Sequence, residues 1–174
     1  MGKVAVGDKV PAFKVKDHKG FQLTHEDLIG TPTVIFFYPK DNTPGCTKEV
    51  CDFQSQLKKF SSLDVLILGV SPDSIESHQE FIKKFHINYT LLSDPDRQMC
   101  HSFGAIHEGK VERSTFAIDV DGVIRWIEKP AKVEGHVERV IEAVEKNCPS
   151  VLQFPKALQD DYIEFLKNLK NKPK

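Results

Sequence analysis

Long apolar runs are missing from this chain of 174 residues. No stretch approaches the roughly 20 consecutive apolar residues that a bilayer-spanning helix needs, so no membrane segment is expected. The opening MGKVAVGDKV lacks the apolar core and cleavage site of a secretory signal. Met1-Gly2 begins like an acylation site, yet Val6 stands where Ser or Thr is required. An excess of one charge is missing too. Twenty-four Lys and Arg against 25 Asp and Glu leave a net charge of −1, which argues against nucleic acid or an anionic membrane as the main partner.

Metal and nucleotide signatures are equally scarce. The seven histidines form no His-x-His and no H-E-x-x-H pattern. Cys100-His101 with His107 lacks a second well-spaced ligand pair, so a zinc site there is set aside. There is no phosphate loop, dinucleotide fingerprint, internal repeat or low-complexity tract. Cysteines number only four, at 46, 51, 100 and 148, which does not suit a secreted disulfide framework in a chain this long. A reducing, cytoplasmic compartment is expected, where a cysteine pair more often serves catalysis or metal binding than structure.

The hydrophobic pattern is that of an α/β chain. Val10 to Val15 reads as an extended segment, Asp17 to Gly20 as a turn, and Thr24 to Asp27 as the capped start of a short helix closed by Gly30. DVLILGV from Asp64 to Val70 is a buried strand. Ile75, Gln79, Ile82 and Phe85 mark a helix, Tyr89 to Leu92 a short strand, and Ser93 to Phe103 a turn with a brief helix. Ser114 to Val120 and Val123 to Glu128 flank Asp121-Gly122 as a hairpin, and Val137, Val140, Ile141 and Val144 mark another helix. Beyond Pro149, the stripe of Leu158, Tyr162, Phe165, Leu166 and Leu169 predicts a helix with a surface to pack on. Pro149 and Pro155 set that segment off, so 1–148 reads as the main domain and 149–174 as a helical extension.

One stretch gathers the chemistry: TVIFFYPKDNTPGCTKEVCDF, Thr33 to Phe53. Val34 to Tyr38 reads as a strand buried on both faces, ended by Pro39. Asp41-Asn42 is loop material. Thr43 is placed as N-cap and Pro44 at the first helical position, with Val50, Phe53, Leu57 and Phe60 giving one continuous apolar helical face. Cys46 then falls in the first helical turn, where unpaired N–H groups and the dipole favour a thiolate. Its plainer alternative is a buried core thiol.

Pro39-x-x-x-Thr43-x-x-Cys46, within FYPKDNTPGCTKEVCDF, resembles the active-site motif of peroxiredoxins, and of their bacterioferritin-comigratory/PrxQ branch in particular. The resemblance runs from about Val6 to Cys148. It implies a thioredoxin-like fold, a central mixed sheet flanked by helices, here with an extra C-terminal helix. It also implies a thiol peroxidase using no metal, haem or flavin. Cys46 would be the peroxidatic cysteine, attacking a hydroperoxide to form a sulfenic acid. Cys51 would resolve it as a Cys46–Cys51 disulfide, recycled by thioredoxin or a similar dithiol reductant.

By the same resemblance Thr43 reaches the bound peroxide, Pro39 shields the thiolate, and Arg113 in Arg113-Ser114-Thr115-Phe116 comes beside the sulfur. Glu49 either orients Arg113 or is an ordinary surface residue. Cys100 is an alternative resolving cysteine, and Cys148 is inert or joins two subunits. A monomer or weak homodimer is expected. Two rival readings stay open: a redox sensor that oxidises a partner protein, and a thioredoxin-like disulfide oxidoreductase, although C-x-x-C is absent. The connection from Gly104 to Arg113 looks short, which bears on the mouth of the site and on peroxide preference.

Overall fold

The structure is a computed structural model, and it describes residues 4–151 and 156–170, with side chains to residue 168. Among the described residues nine strands and six α-helices follow in order: β1 (Lys14–Asp17), β2 (Gln22–Thr24), β3 (Thr33–Phe37), α1 (Pro44–Ser55), α2 (Leu57–Ser62), β4 (Leu66–Ser71), α3 (Ile75–Phe85), β5 (Thr90–Ser93) and α4 (Gln98–Ser102). Then come β6 (Ile106–His107), β7 (Lys110–Val111), β8 (Ser114–Ile118), β9 (Ile124–Glu128), α5 (His136–Asn147) and α6 (Lys156–Lys170). A 3₁₀ turn, His25–Leu28, follows β2, and the Asp27 carboxylate accepts the Thr24 N–H there at 2.8 Å.

Seven strands form one sheet in the order β2-β1-β5-β4-β3-β8-β9. The β3–β4 and β4–β5 pairs are parallel, and the outer pairs antiparallel. β3 lies between β4 and β8 with all five residues buried, which accounts for its unbroken apolar run. Side chains of a strand alternate between faces, so β3 feeds two cores. Val34 and Phe36 pack with α1, α2, α3 and α5, whereas Ile35 and Phe37 pack with α4, Phe13 and Leu28. The Phe36 and Phe53 rings stack 4.4 Å apart between centroids, seating α1 on the sheet. This is the thioredoxin-like α/β fold with its mixed sheet between helices.

Several expectations need correction. The helix after Cys46 is not continuous to Phe60: it breaks at Gln56 into α1 and α2, so the Val50–Phe53–Leu57–Phe60 face belongs to two helices. β2 and the small β6–β7 hairpin had no legible alternation, being only two or three residues long. That hairpin fills the connection from Gly104 to Arg113.

In α6 the apolar stripe is only partly covered. Leu166 packs on Gly30, and the Tyr162 hydroxyl donates to the Val120 carbonyl at 2.8 Å, but Leu158 and Phe165 are more than half exposed. Pro155 and the side chain of Leu169 lie outside the described residues. No described helix is long and apolar enough to cross a membrane.

Candidate active site

Cys46 is the third residue of α1, behind Pro44 at the helix start. The first helical hydrogen bond runs from Thr47 N–H to the Thr43 carbonyl, so the N–H groups of Gly45 and Cys46 precede the intrahelical ladder. Cys46 is buried, 2% exposed, on the face of the sheet covered by α1, α2, α3 and α5, with Val50 and Phe53. Arg113, just ahead of β8, places Nη2 3.5 Å from Cys46 Sγ and Nη1 2.6 Å from Glu49 Oε1. A guanidinium fixed at that distance stabilises negative charge on the sulfur. Glycine at 45 leaves this approach uncrowded, since a Cβ there would lie 3.3 Å from Arg113 Nη2 and the guanidinium would have to give by a few tenths of an ångström.

Glu49 is not a surface residue. Its side chain is fully buried, which settles the choice left open by the sequence in favour of the fork to Arg113. Burial pushes its carboxyl up to about 7 despite the opposing pull of the guanidinium. Arg113 in turn is penalised by burial, but Glu49 and Cys46 outweigh that and raise its proton affinity.

Thr43 stands at the N-cap with extended backbone, but its side chain does not cap. The hydroxyl instead donates to the Lys40 carbonyl at 2.9 Å, which leaves its lone pairs to accept a hydrogen bond. Pro39 follows β3 with its side chain exposed. Between them lies a residue that sequence reasoning passed over as loop material. Asp41 is buried and accepts from the Tyr38 hydroxyl at 2.6 Å and the Ser77 hydroxyl at 2.8 Å, with His78 Nδ1 at 2.7 Å. Its own N–H donates to Asp73 at 2.7 Å. These contacts tie the loop entering α1 to α3 and to the turn between β4 and α3. The local sequence offers Asp41 only Tyr38; its other partners, Asp73, Ser77 and His78, stand more than 30 residues away.

The other cysteines are separated from the sulfur of Cys46. Cys51 lies further along α1, half-buried, and its thiol is pushed up by burial and by Asp52. All four cysteines are free thiols. Cys100 is a residue of α4, fully buried in the opposite core against the far face of the sheet, so the sheet stands between it and Cys46. In the reduced chain, then, Cys100 shares neither core nor helix with Cys46, whereas Cys51 shares α1 with it. Cys148 closes α5, and burial pushes its thiol up to about 12.

A buried thiol at a helix start beside a fixed arginine, on a thioredoxin-like sheet, defines a thiol-based redox protein. Comparison with known proteins narrows the class. Residues 6–127 match the AhpC/TSA family. The chain is 41% identical over 146 residues to a putative peroxiredoxin bcp of Coxiella burnetii, an alignment covering 79% of this chain and 97% of that one. Its fold matches the bacterioferritin comigratory protein of Xanthomonas campestris at a TM-score of 0.74 and 37% identity, covering 77% of this chain and 90% of the other. It also matches a PrxQ of Xylella fastidiosa at 0.79 and 31%, covering 84% and 98%. The chain belongs to the AhpC/TSA family and, within it, to the Bcp/PrxQ peroxiredoxins; it is a thiol peroxidase.

Proposed function

We propose that the protein reduces hydrogen peroxide and organic hydroperoxides through Cys46, Cys51 and a dithiol reductant such as thioredoxin. The observation that carries this reading is the 3.5 Å approach of Arg113 Nη2 to the Cys46 sulfur at the start of α1. The thiolate of Cys46 attacks the terminal peroxide oxygen; an S–O bond forms, the O–O bond breaks, and the leaving alkoxide or hydroxide takes a proton from water. Arg113 stabilises the attacking sulfur and the charge that develops on the departing oxygen. Thr43 accepts a hydrogen bond from the peroxide O–H, and Pro39 limits water at the thiolate. The thiol of Cys51 then displaces water from the sulfenic acid to give a Cys46–Cys51 disulfide, which the reductant returns to two thiols.

Organic hydroperoxides are included because the Xanthomonas campestris relative has alkyl peroxide reduction activity. Four free cysteines suit a reducing, cytoplasmic setting. The protein acts as a monomer or weak homodimer, with 149–174 as an extension to the 1–148 domain.

The test is peroxide consumption with thioredoxin, its reductase and NADPH, by wild type and each Cys→Ser variant, with peptide mapping of the oxidised chain. Cys46→Ser is expected to be inactive and Cys51→Ser to form one sulfenic acid without turning over. Turnover by Cys46→Ser, or a mapped disulfide that omits Cys51, defeats this reading.

A further inference from the structure

Behind the Glu49–Arg113 fork lies a second buried group. His136 heads α5, and its side chain is 1% exposed. Nδ1 lies 2.8 Å from Glu128 Oε2 on β9, and Glu128 is itself held by Arg139 of α5 at 2.7 and 2.9 Å. Nε2 lies 2.8 Å from Thr115 Oγ1 on β8 and 3.7 Å from Glu49 Oε2 on α1. That Glu49 oxygen is buried and has no hydrogen-bond partner among the described residues.

The proton inventory follows from these partners. Glu128, ion-paired with Arg139, only accepts, so His136 Nδ1 carries a hydrogen. Nε2 is therefore the position that changes. Unprotonated, it accepts the Thr115 hydroxyl. Protonated, it donates, and the nearby buried acceptor in need of a donor is Glu49 Oε2.

We propose that His136 is a positioning residue of the peroxide reaction, its Nε2 and Glu49 Oε2 holding one proton between them that sets how much of the Arg113 charge faces Cys46. With the proton present, the Glu49–His136 pair is neutral and Arg113 is compensated mainly by the sulfur. Without it, Glu49 is an anion 2.6 Å from Arg113, and the guanidinium gives less to the thiolate. The charged and titratable groups facing the pair are Arg113 and Cys46 on one side and Glu128 and Arg139 on the other, with Asp52 further along α1 and the buried Tyr89 hydroxyl, bonded to the Val50 carbonyl, behind Glu49. Burial raises the proton affinity of Glu49 and lowers that of His136, so each resists being charged, which favours one shared proton near neutral pH.

The proposal rests on Cys46 as the peroxide-reactive group. Its test is the rate of Cys46 oxidation by hydrogen peroxide, followed by stopped flow from pH 5 to 9. Wild type, Glu49→Gln, His136→Gln and the double variant are compared. The expected wild-type profile rises as the thiol ionises and then falls as the pair loses its proton. Glu49→Gln should abolish the alkaline fall, and His136→Gln should move its midpoint by about one pH unit. The double variant should match Glu49→Gln.

A wild-type profile without the fall, an unmoved midpoint in His136→Gln, or an effect of His136→Gln that persists beside Glu49→Gln each overturns the proposal. Peroxide consumption by Cys46→Ser instead overturns the underlying assignment of Cys46. If His136→Gln does not fold, the ring signals of His136 are titrated by NMR in wild type and in Cys46→Ser. Coupling is reciprocal, so a thiolate must tighten the proton on the pair. Equal midpoints would refute the coupling.

Discussion

Arg113 reaches Cys46 across 67 residues of chain, its Nη2 resting 3.5 Å from the sulfur. The contact exists because β8 lies beside β3 in the sheet, so the residue before β8 meets the helix that follows β3. Arg113→Met keeps the bulk and removes the charge. The peroxide step should slow by roughly 10²–10³, the scale of one preorganised electrostatic donor. Stopped-flow oxidation of Cys46 measures it, and an unchanged rate makes Arg113 a bystander.

Gly45→Ala tests the space rather than the charge. Alanine favours a helix by about 0.5–1 kcal/mol over glycine, so the melting temperature should hold or rise. A Cβ 3.3 Å from Arg113 Nη2 nevertheless presses on the guanidinium. Cys46 oxidation should slow about several-fold, because small displacements of a positioned group are costly. Loss of stability with full reactivity would contradict this account.

Stability should carry opposing pH signatures from Glu49 and His136. The folded chain holds a proton on Glu49 up to about 7, above the ordinary carboxylate value of 4.5. Its contribution is therefore full at acid pH and lost as pH rises through about 7. Burial lowers the proton affinity of His136 below its ordinary value, so its contribution is present above pH 6.5 and lost on acidification. His136→Gln should leave a stability that falls from about pH 4.5 to 7, and Glu49→Gln one that rises with pH below 6.5. Wild type should lie between them. Urea unfolding at half-unit steps reads the slopes; equal slopes in all three would show that neither group is coupled to folding.

These differences also mark how far the chain could be read. Local signals in Thr33 to Phe53 were strong: a β-branched and aromatic run, a proline at the first helical position, a cysteine behind it. The position of Cys46 in the first helical turn followed from them, whereas its burial came only with the plainer alternative of a core thiol. Arg113 beside it was supplied by resemblance, since an arginine ahead of a strand has no local mark of a catalytic partner. Asp41, His136 and Glu128 were passed over because each is defined by partners on other elements. The helix break at Gln56 was hidden by an apolar face that continues across it.

The C-terminal helix should contribute stability without touching the chemistry. Gly30, at φ +101°, has the Leu166 side chain 2.9 Å from where a Cβ would stand. Removing residues 156–174 should lower the melting temperature by several degrees, about 2–4 °C for each kcal/mol lost. Cys46 oxidation should change less than about twofold, well below the effect of losing an active-site donor. Calorimetry and stopped flow together decide this. An unaltered melting temperature would mean that the docking of Leu166 and Tyr162 is worth nothing.

The final expectation concerns movement of α1 on oxidation. Residues five apart on an ideal helix are separated by about 7.5 Å of rise and about 140° of rotation, a Cα distance of roughly 8.6 Å. A disulfide tolerates about 7 Å at most, so Cys46 and Cys51 cannot bond while both remain helical. The first turns must unwind, and the structure holds them from both sides. Asp41 fixes the incoming loop, and the buried Tyr89 hydroxyl donates to the Val50 carbonyl at 2.7 Å, next to Cys51 itself. Tyr89→Phe removes that restraint. If it is worth about 1 kcal/mol, disulfide formation after the sulfenic acid should quicken about fivefold. Sulfinic acid, which accumulates when resolution lags, should fall in step at excess peroxide. Amide exchange over residues 43–53 should show protection in the reduced protein and its loss in the disulfide form. Equal protection in both redox states would mean that α1 does not unwind, and Cys51 could not then be the resolving thiol.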